Sequence, residues 1–128
     1  MPNNHANMFL VTTNKSKRLI QLSFIGHVTL EDLERGGQDI AELLADWPAG
    51  MRLLGDLERL ESMDPDCVEE LGRNMELLDR NGVELVVRVI PDSTKDIGLN
   101  ILTIFHYKKP PRVVTCSKMT EAARILSL

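Results

Sequence analysis

The sequence predicts an α/β fold: a mixed, mostly parallel five-stranded sheet with about four helices, in the order β-β-α-β-α-β-α-β-α. Three observations carry this. MFLVTT and RLIQLSF are β-rich runs separated only by NKSK, which predicts an opening hairpin. From Thr29 onward, stretches with apolar residues at helical spacing alternate with the short apolar runs MRLLGDL, VELVVRVI and RVVTC. Strands that alternate with helices are joined by right-handed crossovers and so lie mainly parallel. The hairpin needs no crossover helix, so helices should cover the sheet unevenly.

Each element has its own signals. Residues 1–7 read as a loose tail before a single domain over 8–128. In the second run Leu19, Gln21 and Ser23 alternate with Ile20, Leu22 and Phe24, though neither face is purely polar. Thr29 opens the first helix, and Asp32 three residues on makes a weak capping-box pattern. Leu30, Leu33, Ile40, Leu43 and Leu44 follow at helical spacing. Gly36–Gly37 interrupts them at about 1 kcal/mol per glycine relative to alanine, which predicts close helix–sheet packing or a kink. Trp47–Pro48–Ala49–Gly50 ends the helix.

Met51 to Leu57 is the third strand. The second helix spans Asp64 to about Asp79, with Asp64 as N-cap and Pro65 at the first helical position, where a missing N–H costs nothing. Val68, Leu71, Met75 and Leu78 form its apolar face, and Asn81–Gly82 stops it. VELVVRVI is β-branched and apolar, as in a buried parallel strand, until Pro91. Ser93 to about His106 reads as a third helix, apolar over a wide arc, ended by Lys108–Lys109–Pro110–Pro111. RVVTC is the last strand. Ser117 or Thr120 opens the last helix, which runs through Leu126.

Composition bounds the function. With 128 residues, 43% hydrophobic and 27% charged, this is an ordinary globular composition with room for a core. A net charge of −4 argues against non-specific nucleic-acid binding, which needs a basic surface. No run approaches the roughly 20 apolar residues of a membrane span. MPNNHANMF has no secretory pattern, so the expected location is cytoplasmic. Cys67 and Cys116 form no CxxC and read as reduced thiols.

The stretch DLERLESMDPDCV, residues 56–68, resembles one family. In the STAS family (sulfate transporter and anti-sigma factor antagonist), with its SpoIIAA-like fold, the strand is followed by D-L-S-x-V-x-F-I-D-S-S-G-L. Asp56 and Leu57 match its opening pair, Leu60 its valine, Met63 its isoleucine and Asp64 its aspartate. RNGVELVV and RVVTCSKMTEAARIL resemble its later turn, strand and final helix, so the resemblance covers about Met8 to Leu126. SpoIIAA-like proteins of unknown role share this tail. The departures fall on the family's switch. Pro65 and Asp66 replace two serines and Cys67 a glycine, so Asp66 stands at the phosphorylatable position. A carboxylate carries one negative charge, against roughly −1.5 to −2 for phosphoserine. Asp66 therefore reads either as a fixed charged mark or as a residue that only stabilises the helix start, worth about 0.3–1 kcal/mol through the helix dipole. Ser62 lies about a turn too early to substitute as phosphoacceptor.

Other candidates are weaker. Cys67, expected at the third helical position, could have its pKa lowered by the dipole, but Asp64 and Asp66 oppose a thiolate. His5, His27 and His106 are isolated, without metal-ligand spacing. His27 is placed in a loop before the first helix. No phosphate-loop, dinucleotide or nucleophile-elbow motif occurs. The acids sit at helix starts and on solvated faces, so no catalytic residue, metal or cofactor is expected.

The resemblance implies a non-enzymatic regulatory domain that binds a protein partner, such as an anti-sigma factor or kinase-like regulator, through Asp64, Pro65, Asp66, Cys67 and Glu70. Without the serine it would not be controlled by phosphorylation there. The alternative is a module for a small apolar or lipid-like ligand, held between the third helix and the sheet. The surplus apolar residues of that helix could equally form a dimer surface or be buried by the last helix. Homodimerisation is compatible with either function.

Overall fold

A computed structural model of the chain describes residues 8–47, 50–91, 107–108 and 111–128. Five strands form one sheet in the order β1-β2-β3-β4-β5: β1 Met8–Asn14, β2 Leu19–Val28, β3 Arg52–Met63, β4 Leu85–Val89 and β5 Arg112–Cys116. β1 and β2 pair antiparallel, and every other neighbouring pair is parallel. The described helices are α1 Leu30–Ala45, α2 Cys67–Arg80 and α3 Met119–Leu126. The expected tail over 1–7 and the expected helix over 93–106, with His5 and His106, lie outside the described residues.

The hairpin forms as its residues suggest. Lys15–Lys17 make one 3-10 turn, the Asn14 side chain accepts from the Lys17 N–H, and Arg18 closes the turn in the left-handed region at φ 52°. Both halves of the Thr29–Asp32 capping box are present, at 3.2 Å and 2.9 Å. α1 runs unbroken through Gly36–Gly37. Gly36 lies so close to the Phe9 ring that a Cβ there would overlap it, whereas Gly37 faces Asn74 and Glu70 of α2. Close packing, not a kink, is the role of this pair.

α1 and α2 lie on one face of the sheet, as successive right-handed crossovers moving the same way across it require. The larger core is on that face, with Leu33, Ile40 and Leu44 from α1, Leu71 and Leu78 from α2, and Ile20, Leu22, Leu53 and Val86 from the strands. Phe9 and Phe24 extend it as a tilted aromatic pair, 4.8 Å between centroids. The opposite face carries a smaller core, in which Ala122 and Leu126 of α3 cover Leu19, Leu54, Val87 and Val89. No helix among the described residues is long and apolar enough to cross a membrane.

Three expectations need correction. β3 does not stop at Leu57 but runs to Met63, beside a β2 that continues past Phe24 to Val28. Ser23 pairs with Asp56 but Ile25 with Arg59, and Gly26 pairs with Leu60 but His27 with Ser62. β3 therefore carries an extra residue at two places. Each bulge delays the next inward side chain by one position, so Leu57, Leu60 and Met63 reach the same core at a spacing of three. Gly26 of β2, next to the second bulge, takes a left-handed backbone at φ 67° that glycine adopts without steric cost. α2 starts at Cys67, and its buried residues are Cys67, Leu71, Gly72, Asn74 and Leu78. Val68, expected inside, is 52% exposed.

Candidate functional site

The end of β3 and the start of α2 meet the start of α1 at one end of the parallel strands. The Asp64 N–H donates to the Val28 carbonyl at 3.1 Å, which fastens the end of β3 to β2. The chain then turns tightly: the Cys67 N–H donates to the Asp64 carbonyl at 2.9 Å and the Val68 N–H to the Pro65 carbonyl at 3.3 Å. The turn spends no N–H at position 65, so proline fits there.

The side chains depart from expectation at several points. Asp64 is not the N-cap. Its carboxylate meets His27 Nε2 at 2.9 Å, while His27 Nδ1 meets Ser62 Oγ at 2.6 Å. His27 is in β2 rather than in a loop, and this link ties the end of β2 to the end of β3 and the turn after it. Asp66 takes the N-cap position but in a helical backbone conformation, and its side chain makes no capping hydrogen bond. It projects to solvent with Pro65. Cys67 is the first helical residue, not the third, and is fully buried. Its Sγ lies 3.6 Å from the Val28 carbonyl oxygen, to which the thiol donates. Burial pushes the Cys67 thiol pKa up, and the nearby Asp64 carboxylate pushes the same way. Cys67 is thus a structural residue under the site and not an activated thiol.

Glu70 also turns inward. It accepts from Arg73 Nη1 at 2.6 Å and lies against α1 beside Gly37. Arg73 reaches Glu69 as well, at 3.6 Å.

Between the two helix starts lies a surface groove of about 570 Å³, lined by Leu30 and Glu34 of α1 and by Pro65, Asp66, Glu69 and Arg73. Of the five expected site residues the structure places Pro65 and Asp66 in it. Asp64 and Glu70 brace its surroundings and Cys67 lies beneath. Leu30, Glu34, Glu69, Arg73, His27 and Ser62 were not among the expected site residues. A groove built by two helices shows no signal in either helix alone, and the His27 contact depends on a bulged register. Three carboxylates face one guanidinium across the groove, so its field is negative. Beside it, Val68 offers an exposed apolar surface. Among the described residues no three His, Cys, Asp or Glu side chains could hold a metal ion together.

Comparison with known proteins places the fold. No family model matches the sequence, and no curated protein matches it. Solved structures do match. A DUF3478-family protein with a SpoIIAA-like fold from Shewanella loihica superposes with a TM-score of 0.70 at 14% identity, covering 98% of each chain. The anti-sigma factor antagonist SpoIIAA in its unphosphorylated form gives 0.66 at 13% identity, over 94% of this chain and 99% of that one. The fold is SpoIIAA-like. An anti-sigma factor antagonist from Mycobacterium paratuberculosis, at 0.59 and 18% identity, spans the whole of both chains. At these identities the likeness concerns architecture, including the mixed sheet that the sequence predicted.

Proposed function

We propose that this chain is a non-enzymatic, STAS-like regulatory domain that docks a protein partner in the groove between the starts of α1 and α2. The observation that carries this reading is the exposed Pro65–Asp66 step lining a groove that α1, α2 and the turn before α2 build together. Neighbours of the same architecture include anti-sigma factor antagonists, which supports an anti-sigma factor or kinase-like regulator as partner. The negative groove with apolar Leu30, Pro65 and Val68 suits a basic segment with an apolar anchor, since complementary charge aids encounter and a buried apolar centre supplies affinity. Position 66 carries a carboxylate instead of a hydroxyl, so the surface is constitutively charged and has no phosphorylation-controlled release at that point.

The test is a pull-down from the native cell using the unaltered protein, Asp66→Lys and Val68→Arg, each checked for folding by circular dichroism. Partners recovered by the unaltered protein and lost with both variants support the groove. Identical recovery by all three means that this junction is not the interface.

A further inference from the structure

The acidic groove has a counterpart at the other end of the sheet. There the turn Lys15–Arg18, exposed along its whole length, meets the start of β3 and the end of α3. The charged residues around this point are Lys17, Arg18, Arg52 and Glu84. Three cations stand against one carboxylate, the reverse of the groove, where Glu34, Asp66 and Glu69 stand against Arg73. The hydrogen bonds here do not cancel the positive charge, because their acceptors are neutral carbonyls. The Lys17 ammonium donates to the Ser127 carbonyl at 2.6 Å, and the Arg52 guanidinium donates to the Lys17 carbonyl at 2.8 Å and the Leu126 carbonyl at 3.1 Å. Lys15 adds a further exposed cation.

The match extends beyond charge. Leu128, next to Ser127, is 52% exposed, as is Val68 beside the groove. The turn and its surroundings therefore offer a basic segment with an apolar anchor, the chemistry that suits the groove. The two surfaces cannot meet within one chain. The groove forms where β2 and β3 end and the turn lies where they begin, with the ten residues of β2, at about 3.3 Å each, between them. They can meet between copies, where complementary potentials steer encounter and fix the register. A contact between unlike surfaces leaves one groove and one turn unused in each pair, so it can repeat from copy to copy.

We propose that the groove takes the Lys15–Arg18 turn of a second copy of this chain, joined head to tail. This rests on the groove being a docking surface and names its occupant when no other partner is bound. Sedimentation velocity of the whole protein should show association that grows with protein concentration at about 10 mM salt, where charges act over about 30 Å, and monomer at about 1 M, where they act over about 3 Å. Two neutralised variants isolate the contact. Glu34→Gln with Glu69→Gln weakens the groove and keeps the turn, and Lys15→Gln with Lys17→Gln does the reverse. Each alone should self-associate at least tenfold more weakly than the unaltered protein. Mixed in equal amounts, they should form a one-to-one pair and nothing larger, since only one intact groove and one intact turn can meet. Monomer at every concentration, association that salt does not weaken, variants that associate like the unaltered protein, or a mixture that stays monomeric would each overturn the proposal. If a variant does not fold, NMR on dilution of the unaltered protein decides: the amides of Lys15–Arg18 and Asp66–Glu69 should shift together, and a shift at one segment alone or at neither overturns it. Partners recovered through the groove of a protein that stays monomeric would sink this inference and leave the docking reading standing.

Discussion

Asp64 and Asp66 are two residues apart and serve different ends. Asp64 is held by His27 beneath the turn, whereas Asp66 faces solvent without a capping hydrogen bond. Without a capping hydrogen bond, the helix dipole is what stabilises Asp66, so Asp66→Asn should change the free energy of unfolding in urea by no more than about 1 kcal/mol. A larger loss would mean that Asp66 is kept for stability and not for its exposed charge. The capping box of α1 behaves otherwise. Burial works to raise the Asp32 pKa, but hydrogen bonds from the Thr29 N–H and hydroxyl, with Arg35 alongside, outweigh it and hold the carboxyl below its usual range. A pKa lower in the folded than in the unfolded state adds stability above the unfolded value, about 3.9, and that stability is lost as pH falls through the folded value. Asp32→Ala should therefore destabilise by about 1 kcal/mol at pH 7, and this cost should shrink progressively as pH falls below about 3.9, measured as urea midpoints over a descending pH series. A cost independent of pH would remove the carboxylate from the explanation. The Thr29–Asp32 box is legible in the sequence because both partners lie within one turn of one helix. The His27–Asp64 link spans 37 residues and is not.

Among the elements, the strands and helices are legible in number and order over the described residues, and the departures cluster at one junction. ERLESM reads as polar loop because its inward residues, Leu60 and Met63, break the period of two that identifies a strand. The bulges that cause this are a property of two strands together. Choosing the stripe of α2 by apolar character alone takes Val68 and Met75 and passes over Asn74, whereas burial follows Cys67, Leu71, Asn74 and Leu78. Gly36–Gly37 does mark close packing, and the two positions now separate. A Cβ at Gly36 would overlap Phe9, a buried ring fixed against Phe24. At Gly37 it would meet the Asn74 amide oxygen at 2.8 Å, at the end of a side chain. Overpacking a fixed ring costs about 1–3 kcal/mol, more than the roughly 1 kcal/mol that alanine gains over glycine in a helix. Gly36→Ala should lower the melting temperature, and Gly37→Ala should lower it less. The reverse order would show that Phe9 moves aside freely.

For the molecule as a whole, the two faces of the sheet are unequally covered. Among the described residues, α1 and α2 lie over one face, while the other is covered by the eight residues of α3 with Ala122 and Leu126 buried. The hairpin predicts uneven cover, but nothing in the sequence singles out α3, because its short apolar pattern resembles any terminal helix. Its position sets its influence. Leu126 is fully buried, and the cluster it closes includes Leu54 of β3 and Val87 and Val89 of β4, on neighbouring strands inside the sheet. These strands also carry the larger core on their opposite face, so loosening α3 should weaken both cores at once. Leu126→Ala should cost about 2–4 kcal/mol. Native-state hydrogen exchange then discriminates between a local and a global effect. If α3 is integral to the sheet, the slowest amides of β3 and β4 lose protection by the same free energy as the urea measurement reports. If only amides of α3 exchange faster, the helix frays separately and the larger core holds the sheet by itself.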